Sequence, residues 1–196
     1  MTTSLQNKIV SVGIDVGSQN GAISVVDEGL KILLLTKTPI YQTEIKSRRN
    51  KSKLNKETGK FEKDFRKRSW VDFEKVGELF EPFKKCKVIY TLEKATVRPF
   101  EGEAPSFMNG NALGIFQGAS LLLSPMKYFE PLPATWKADL GVTSEKQTSI
   151  KLAEKIYKVD LKDYLKTGKR DDIAEALLLS FYGLKQHYIQ EGELNG

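Results

Sequence analysis

Two acids in this chain stand where acids are costly. Asp15 lies in Val-Gly-Ile-Asp-Val-Gly-Ser, near the end of an apolar strand pattern and just before a glycine. Glu93 takes the same kind of place in Val-Ile-Tyr-Thr-Leu-Glu. An uncompensated carboxylate in low-dielectric surroundings is expensive, so acids rarely finish buried strands without a partner. On neighbouring strands the two would repel and raise a pKa unless a cation neutralised them. One cysteine (Cys86) and one histidine (His187) allow no thiolate or imidazole centre, so any metal must be held by oxygen. Mg2+, a hard ion that prefers carboxylates and water, is the economical answer.

A third acidic group opens a helical pattern, Lys169-Arg170-Asp171-Asp172-Ile173-Ala174-Glu175-Ala176-Leu177. Asp172 and Glu175 are three apart and share a face, leaving Ile173, Ala176 and Leu177 to face a sheet. Acids at a helix N-terminus also favour the macrodipole, so this cluster alone fits capping as well as catalysis. The coincidence of all three groups carries the case: carboxylates gathered from distant segments are what two-metal phosphodiester chemistry requires.

The elements that must position these acids follow from periodicity. Residues 8–16, 21–27 and 30–38 read as strands separated by turn signals, spaced for an antiparallel meander. Residues 41–68 have little apolar content and read as a mobile loop or extended hairpin. From Trp70 onward, Phe73, Val76, Leu79, Phe80 and Phe83 recur at helical spacing. A buried strand at 87–93 and a loop with Pro99, Gly102 and Pro105 come next. Residues 106–123 read as a helix despite Gly110, Gly114 and Gly118, each costing about 1 kcal/mol relative to alanine. Such glycines point to a close approach, by the sheet or by another subunit. A strand at 126–130 and a short turn at Trp136-Lys137 lead to a helix at 144–157, where Ser144 and Gln147 form a capping-box pattern. The last helix begins near Asp171 and runs past Leu184. This order predicts an α/β domain with a mixed five-stranded sheet flanked by helices, its first and fourth strands side by side.

Length predicts one domain spanning 1–196, with a basic insertion at about 41–68. No apolar run approaches the ~20 residues of a membrane helix. The first residues lack the basic, apolar, small-residue order of a signal peptide, so the expected place is the cytoplasm. Residues 46–68 hold eleven basic residues against three acidic ones, a balance of +8, so a total of +6 leaves −2 for the rest. A localised run of this kind is either a solvated loop or the footprint of a polyanion partner.

Taken together, these residues resemble the RuvC-type Holliday-junction resolvases of the RNase H-like superfamily. Gly13-Ile14-Asp15-Val16-Gly17 resembles their first-strand motif and Leu92-Glu93 the acid ending their fourth strand. Asp172-Ile173-Ala174-Glu175-Ala176-Leu177 resembles their C-terminal D-x-x-D-A-L motif. Pro133-Ala134-Thr135-Trp136-Lys137 and Lys146 match features of phage-type members. The resemblance covers residues 8 to 185 in order and spacing. It departs at Glu175, where the family usually has Asp, at the extra acid Asp171, and at the long basic insertion.

The resemblance implies Mg2+-dependent hydrolysis of DNA at four-way junctions, giving 5′-phosphate and 3′-hydroxyl ends. Asp15 would bridge two Mg2+ ions, for which Mn2+ could substitute. Glu93 would hold one ion, and Asp172, or Asp171, with Glu175 would complete the site. Lys137 or Lys146 would bind a phosphate near the cut. Lys46, Arg48, Arg49, Lys51, Lys53, Arg66, Lys67 and Arg68 would grip junction arms by phosphate contacts. Arg98 and Phe100 would lie over the site, with Phe100 either a wedge between bases or a loop anchor. Paired cuts imply a twofold homodimer, with 106–123 as candidate interface, working in bacterial or phage-infected cytoplasm. Other readings are an RNase H-like nuclease acting on RNA or other branched DNA, and a non-catalytic nucleic-acid-binding module. The Gly13–Ser18 stretch also resembles the phosphate loop of sugar kinases and actin-like ATPases.

Overall fold

The computed structural model describes residues 5–17, 20–46, 53–54, 61–62, 65–94, 102–143, 145–165 and 170–192, with the side chains of 46, 53, 54, 61, 62, 65 and 66 excepted. Three strands, β1 (Ile9–Asp15), β2 (Ala22–Asp27) and β3 (Ile32–Lys37), form the expected antiparallel meander. The described residues of 41–68 form an extended hairpin. Its arms, β4 (Ile40–Lys46) and β7 (Phe65–Val71), pair antiparallel from Ile40↔Val71 to Lys46↔Phe65, and the short strands β5 (Lys53–Leu54) and β6 (Phe61–Glu62) pair further out. Of the two readings of this segment, the extended hairpin is the one its described residues show; residues 47–52, 55–60 and 63–64 lie outside them.

Trp70 belongs to β7 rather than to the following helix. The expected periodicity holds only from Phe73, because Asp72 caps α1 (Phe73–Phe80), its side chain accepting from the Lys75 backbone N–H. Glu81–Phe83 add a 3-10 turn before β8 (Lys87–Leu92). Helix α2 (Glu103–Ser120) starts earlier than expected, with Pro105 inside its first turn, where proline removes no intrahelical hydrogen bond. After β9 (Lys127–Phe129), Pro133 opens a short helix, α3 (Pro133–Asp139), where only a turn was expected. Helix α4 (Lys146–Tyr157) has Glu145 at its N-cap, without a side-chain capping bond; Ser144 lies outside the described residues. Helix α5 (Asp171–Gln190) begins where the acids predicted.

The five-stranded sheet runs β3-β2-β1-β8-β9, with β1 and β8 side by side as expected and parallel. Alternation along β1 sends Val10, Val12 and Ile14 into one layer with Val76, Phe80, Ala112 and Phe116 of α1 and α2. The opposite face carries α5, backed by Trp136 of α3 and Ile150 and Ala153 of α4. Tyr157 ties α4 down by donating to the Leu177 carbonyl at 2.8 Å. Each of the buried Val, Ile and Phe side chains among these stabilises the fold by about 1.5–3 kcal/mol before conformational entropy is subtracted.

Helix α5 lies on the sheet along a seam of small residues. A Cβ on Gly13 would sit 2.2 Å from the Ala176 carbonyl oxygen and 2.4 Å from the Ser180 nitrogen. Ser11 Oγ donates to the Ser180 carbonyl and Ser24 Oγ to the Ala176 carbonyl, each at 2.8 Å. Gly13 is therefore required by helix–sheet approach, an explanation of the Gly-Ile-Asp motif that needs no bound phosphate.

Candidate active site

The parity that places Ser11 and Gly13 against α5 also places Asp15 on that face, at the strand's end. On β8, Ile89 and Thr91 share the α5 side with Glu93 in the same alternation. The Glu93 backbone N–H donates to the Ile14 carbonyl at 3.0 Å, extending the β1–β8 ladder one residue past Leu92. The two acids thus emerge beside one another from the carboxyl ends of adjacent parallel strands. The start of α5 supplies Asp171, Asp172 and Glu175.

The charges of these acids act on one another. Asp15 has its pKa raised well above the usual 3.8, first by burial and then by the negative charges of Glu93, Glu175 and Asp172, with Lys137 opposing. Asp172 is also raised, by burial above all and by Asp171, against the lowering influence of Lys37. Asp171 goes the other way. Burial works against its charged form, but hydrogen bonds from Lys146 and the backbone, with the charges of Lys146 and Lys37, leave its pKa lowered. Lys146 is raised in turn, chiefly by its hydrogen bond to Asp171.

Glu93, Asp171, Asp172 and Glu175 each have a specific partner. Trp136 Nε1 donates to Glu93 Oε1 at 2.8 Å, and Lys137 Nζ to Glu175 Oε1 at 2.8 Å. Ser149 Oγ lies 3.2 Å from the same Glu175 oxygen. Lys146 pairs with Asp171, and Lys37, at the end of β3, pairs with Asp172. Consecutive residues of α3 therefore hold two different acids, and Pro133 fixes the helix that carries them.

Among the described residues, no group of three or more His, Cys, Asp or Glu side chains stands in a metal-holding arrangement. Glu93, Asp171, Asp172 and Glu175 are turned toward ammonium and indole donors. Their chemistry nonetheless fits a hard cation: all donors are carboxylate oxygens, and after burial the negative charges of Glu93, Glu175 and Asp172 also raise the pKa of Asp15, with Lys137 opposing. Asp15, Glu93, Asp172 and Glu175 are the residues that would hold such ions, since Glu93, Glu175 and Asp172 are the acids whose charge acts on Asp15.

Of the expected DNA contacts, Lys137 and Lys146 stand at this site. Lys67 and Arg68 lie on β7 of the hairpin, opposite Glu44 and Thr43. Lys46, Lys53 and Arg66 are placed in the hairpin by backbone alone. Arg48, Arg49, Lys51, Arg98 and Phe100 lie outside the described residues. Sequence reasoning missed Lys37 and Ser149 altogether and did not see that Trp136 holds Glu93. A charge closing the apolar Ile-Leu-Leu-Leu-Thr-Lys strand was the one available signal for Lys37.

No family profile and no curated protein matches the chain. Solved structures do. Thermus thermophilus RuvC in complex with a Holliday junction substrate aligns with a TM-score of 0.56 at 16% identity, covering 94% of this chain and 97% of that one. A second Thermus thermophilus RuvC structure aligns with a TM-score of 0.51 at 15% identity and the same coverage. The five-stranded mixed sheet with its flanking helices is therefore the RNase H-like fold of RuvC.

Proposed function

We propose that this protein is a Mg2+-dependent endonuclease that resolves four-way DNA junctions. The observation that carries the reading is the convergence of Asp15, Glu93, Asp172 and Glu175 at one end of the sheet, on a fold like that of RuvC. Asp15, Glu93, Asp172 and Glu175 would hold the ions, Asp15 being the acid on which the charges of the other three act. The chemistry two Mg2+ ions supply when bound is activation of a water and stabilisation of the leaving oxygen in phosphodiester hydrolysis. Trp136 orients Glu93. Lys137 and Lys146 are cations beside the acids, suited to holding phosphates of the cleaved strand, and the products carry 5′-phosphate and 3′-hydroxyl ends. The basic hairpin adds affinity through the phosphate backbone, without sequence choice.

Two symmetric cuts call for two copies, and α2 offers the surface. A Cβ on Gly110, Gly114 or Gly118 would meet nothing within 4 Å among the described residues, which removes sheet packing as their explanation. They share a helix face with Phe107, 63% exposed, and Leu121, 77% exposed. An apolar stripe around small residues suits close helix–helix approach in a homodimer.

Substrate class is tested by offering the protein a labelled four-way junction, a linear duplex and an RNA hairpin in Mg2+. Preferential junction cleavage supports the reading. Cleavage of RNA alone keeps the metal chemistry and overturns the substrate, and binding without cleavage leaves a DNA-binding module.

A further inference from the structure

Lys37 reaches the acids by sheet register alone. Asp15 pairs with Ala22 on β2, and Ala22 pairs with Lys37 on β3, so the three residues form one row across the sheet. Ala22 packs in the layer that contains α5, which fixes the face shared by this row. Two strand spacings put the Lys37 backbone about 10 Å from that of Asp15. A lysine side chain spans much of that gap, and the small Ala22 leaves its path clear. Its ammonium ends on Asp172 Oδ2, with the lysine side chain 31% and the aspartate side chain 13% exposed. Nothing in the fold requires a cation at the end of β3, since the strand is already paired with β2 through Ala22↔Lys37.

We propose that Lys37 is a positioning residue of this site: its ammonium neutralises Asp172 and competes with a divalent cation for the same carboxylate. The inference rests on the reading of the four acids as a metal site. The ammonium sits on Oδ2 of Asp172, so a divalent cation taking this carboxylate meets a like charge close by. The sign of the Lys37 effect follows from Coulomb's law, because a positive charge beside the acids opposes a second positive charge.

The test is Mn2+ binding to the full chain, without DNA, by titration calorimetry. Lys37→Met should bind Mn2+ about tenfold more tightly, the lower end expected when an opposite charge is removed from contact with a carboxylate. Lys37→Gln should move the same way, while Lys37→Arg should stay close to wild type. A merely structural lysine would give the opposite sign, since loosening the site weakens binding. Wild-type Mn2+ binding left unchanged or weakened by both neutral variants overturns the role of Lys37 alone. Absence of Mn2+ binding in wild type and variants alike overturns the metal reading and this inference with it.

Discussion

Trp136 donates its indole N–H to Oε1 of Glu93 at 2.8 Å, from a helix far along the chain from the strand that carries the acid. Trp136 is completely buried, so its ring cannot drift and the carboxylate orientation is set by core packing. Trp136→Phe keeps most of the ring and removes the donor. Partners that orient metal-binding carboxylates typically affect metal affinity or activity by about 10–100-fold, and a loss in that range is expected here. The Mg2+ concentration at half-maximal cleavage should rise, while circular dichroism stays that of the wild type. An unshifted Mg2+ requirement would detach Trp136 from the site.

Asp15 makes a prediction about stability. Its raised pKa means that the fold prefers the neutral acid. The penalty for the ionised form is therefore absent below the ordinary value of 3.8, grows as pH rises toward the folded value, and is fully present above it. Asp15→Asn removes it. In EDTA at pH 7 the variant should melt higher, by about 2–4 °C for each kcal/mol recovered, and the gain should shrink as pH is lowered toward 3.8. Cleavage activity should vanish in the same variant, the trade expected where function holds strain in place. A lower melting temperature for Asp15→Asn at pH 7 would contradict this account of the site's electrostatics.

Gly13 separates packing from phosphate binding. Its added Cβ would collide with backbone atoms of α5 at Ala176 and Ser180, and backbone cannot swing aside as a side-chain tip can. Gly13→Ala should cost about 3 kcal/mol or more, the upper end for overpacked cores, read by urea unfolding. Near-neutral stability would mean that α5 does not lie against β1 at Gly13.

The hairpin can be shortened without disturbing its base. Lys46 and Phe65 are register partners, so a two-residue Asn-Gly turn can replace residues 47–64. Junction affinity should fall, and the slope of log affinity against log salt should flatten by about 0.9 for each phosphate that the shortened hairpin no longer neutralises. Mg2+-dependent cleavage at low salt should persist. An unchanged salt slope would remove the hairpin from the DNA-binding surface.

The acids are legible in the sequence because their placement breaks a local rule. Asp15 and Glu93 close apolar strands, and Asp172 and Glu175 share a face at a helix start, so alternation and helical spacing alone bring them to one end of the sheet. The meander and the parallel β1–β8 pair follow from strand order. The remainder depends on register and tertiary contact. Lys37 stands two strands from Asp15 in the sheet order, and its partner Asp172 lies 135 residues along the chain. The Ser11–Ser180 and Ser24–Ala176 contacts join polar residues that no periodicity marks. Trp70 reads as the start of a helix because aromatic spacing continues past Asp72, and only the cap and the β4–β7 ladder assign it to the strand. Pro133 carries a helix-start signal as clear as any in the chain, yet the brevity of α3 hides it.

Whether four converging acids make a metal-dependent junction resolvase is decided by a four-way junction labelled on each strand in turn. It is incubated with wild type or Asp15→Asn, in Mg2+ or in EDTA. Paired nicks at symmetric positions on opposing strands are expected, formed only by wild type and only with Mg2+. Cleavage by Asp15→Asn at the wild-type rate, or cleavage in EDTA, would overturn the assignment of these acids as the metal-dependent centre.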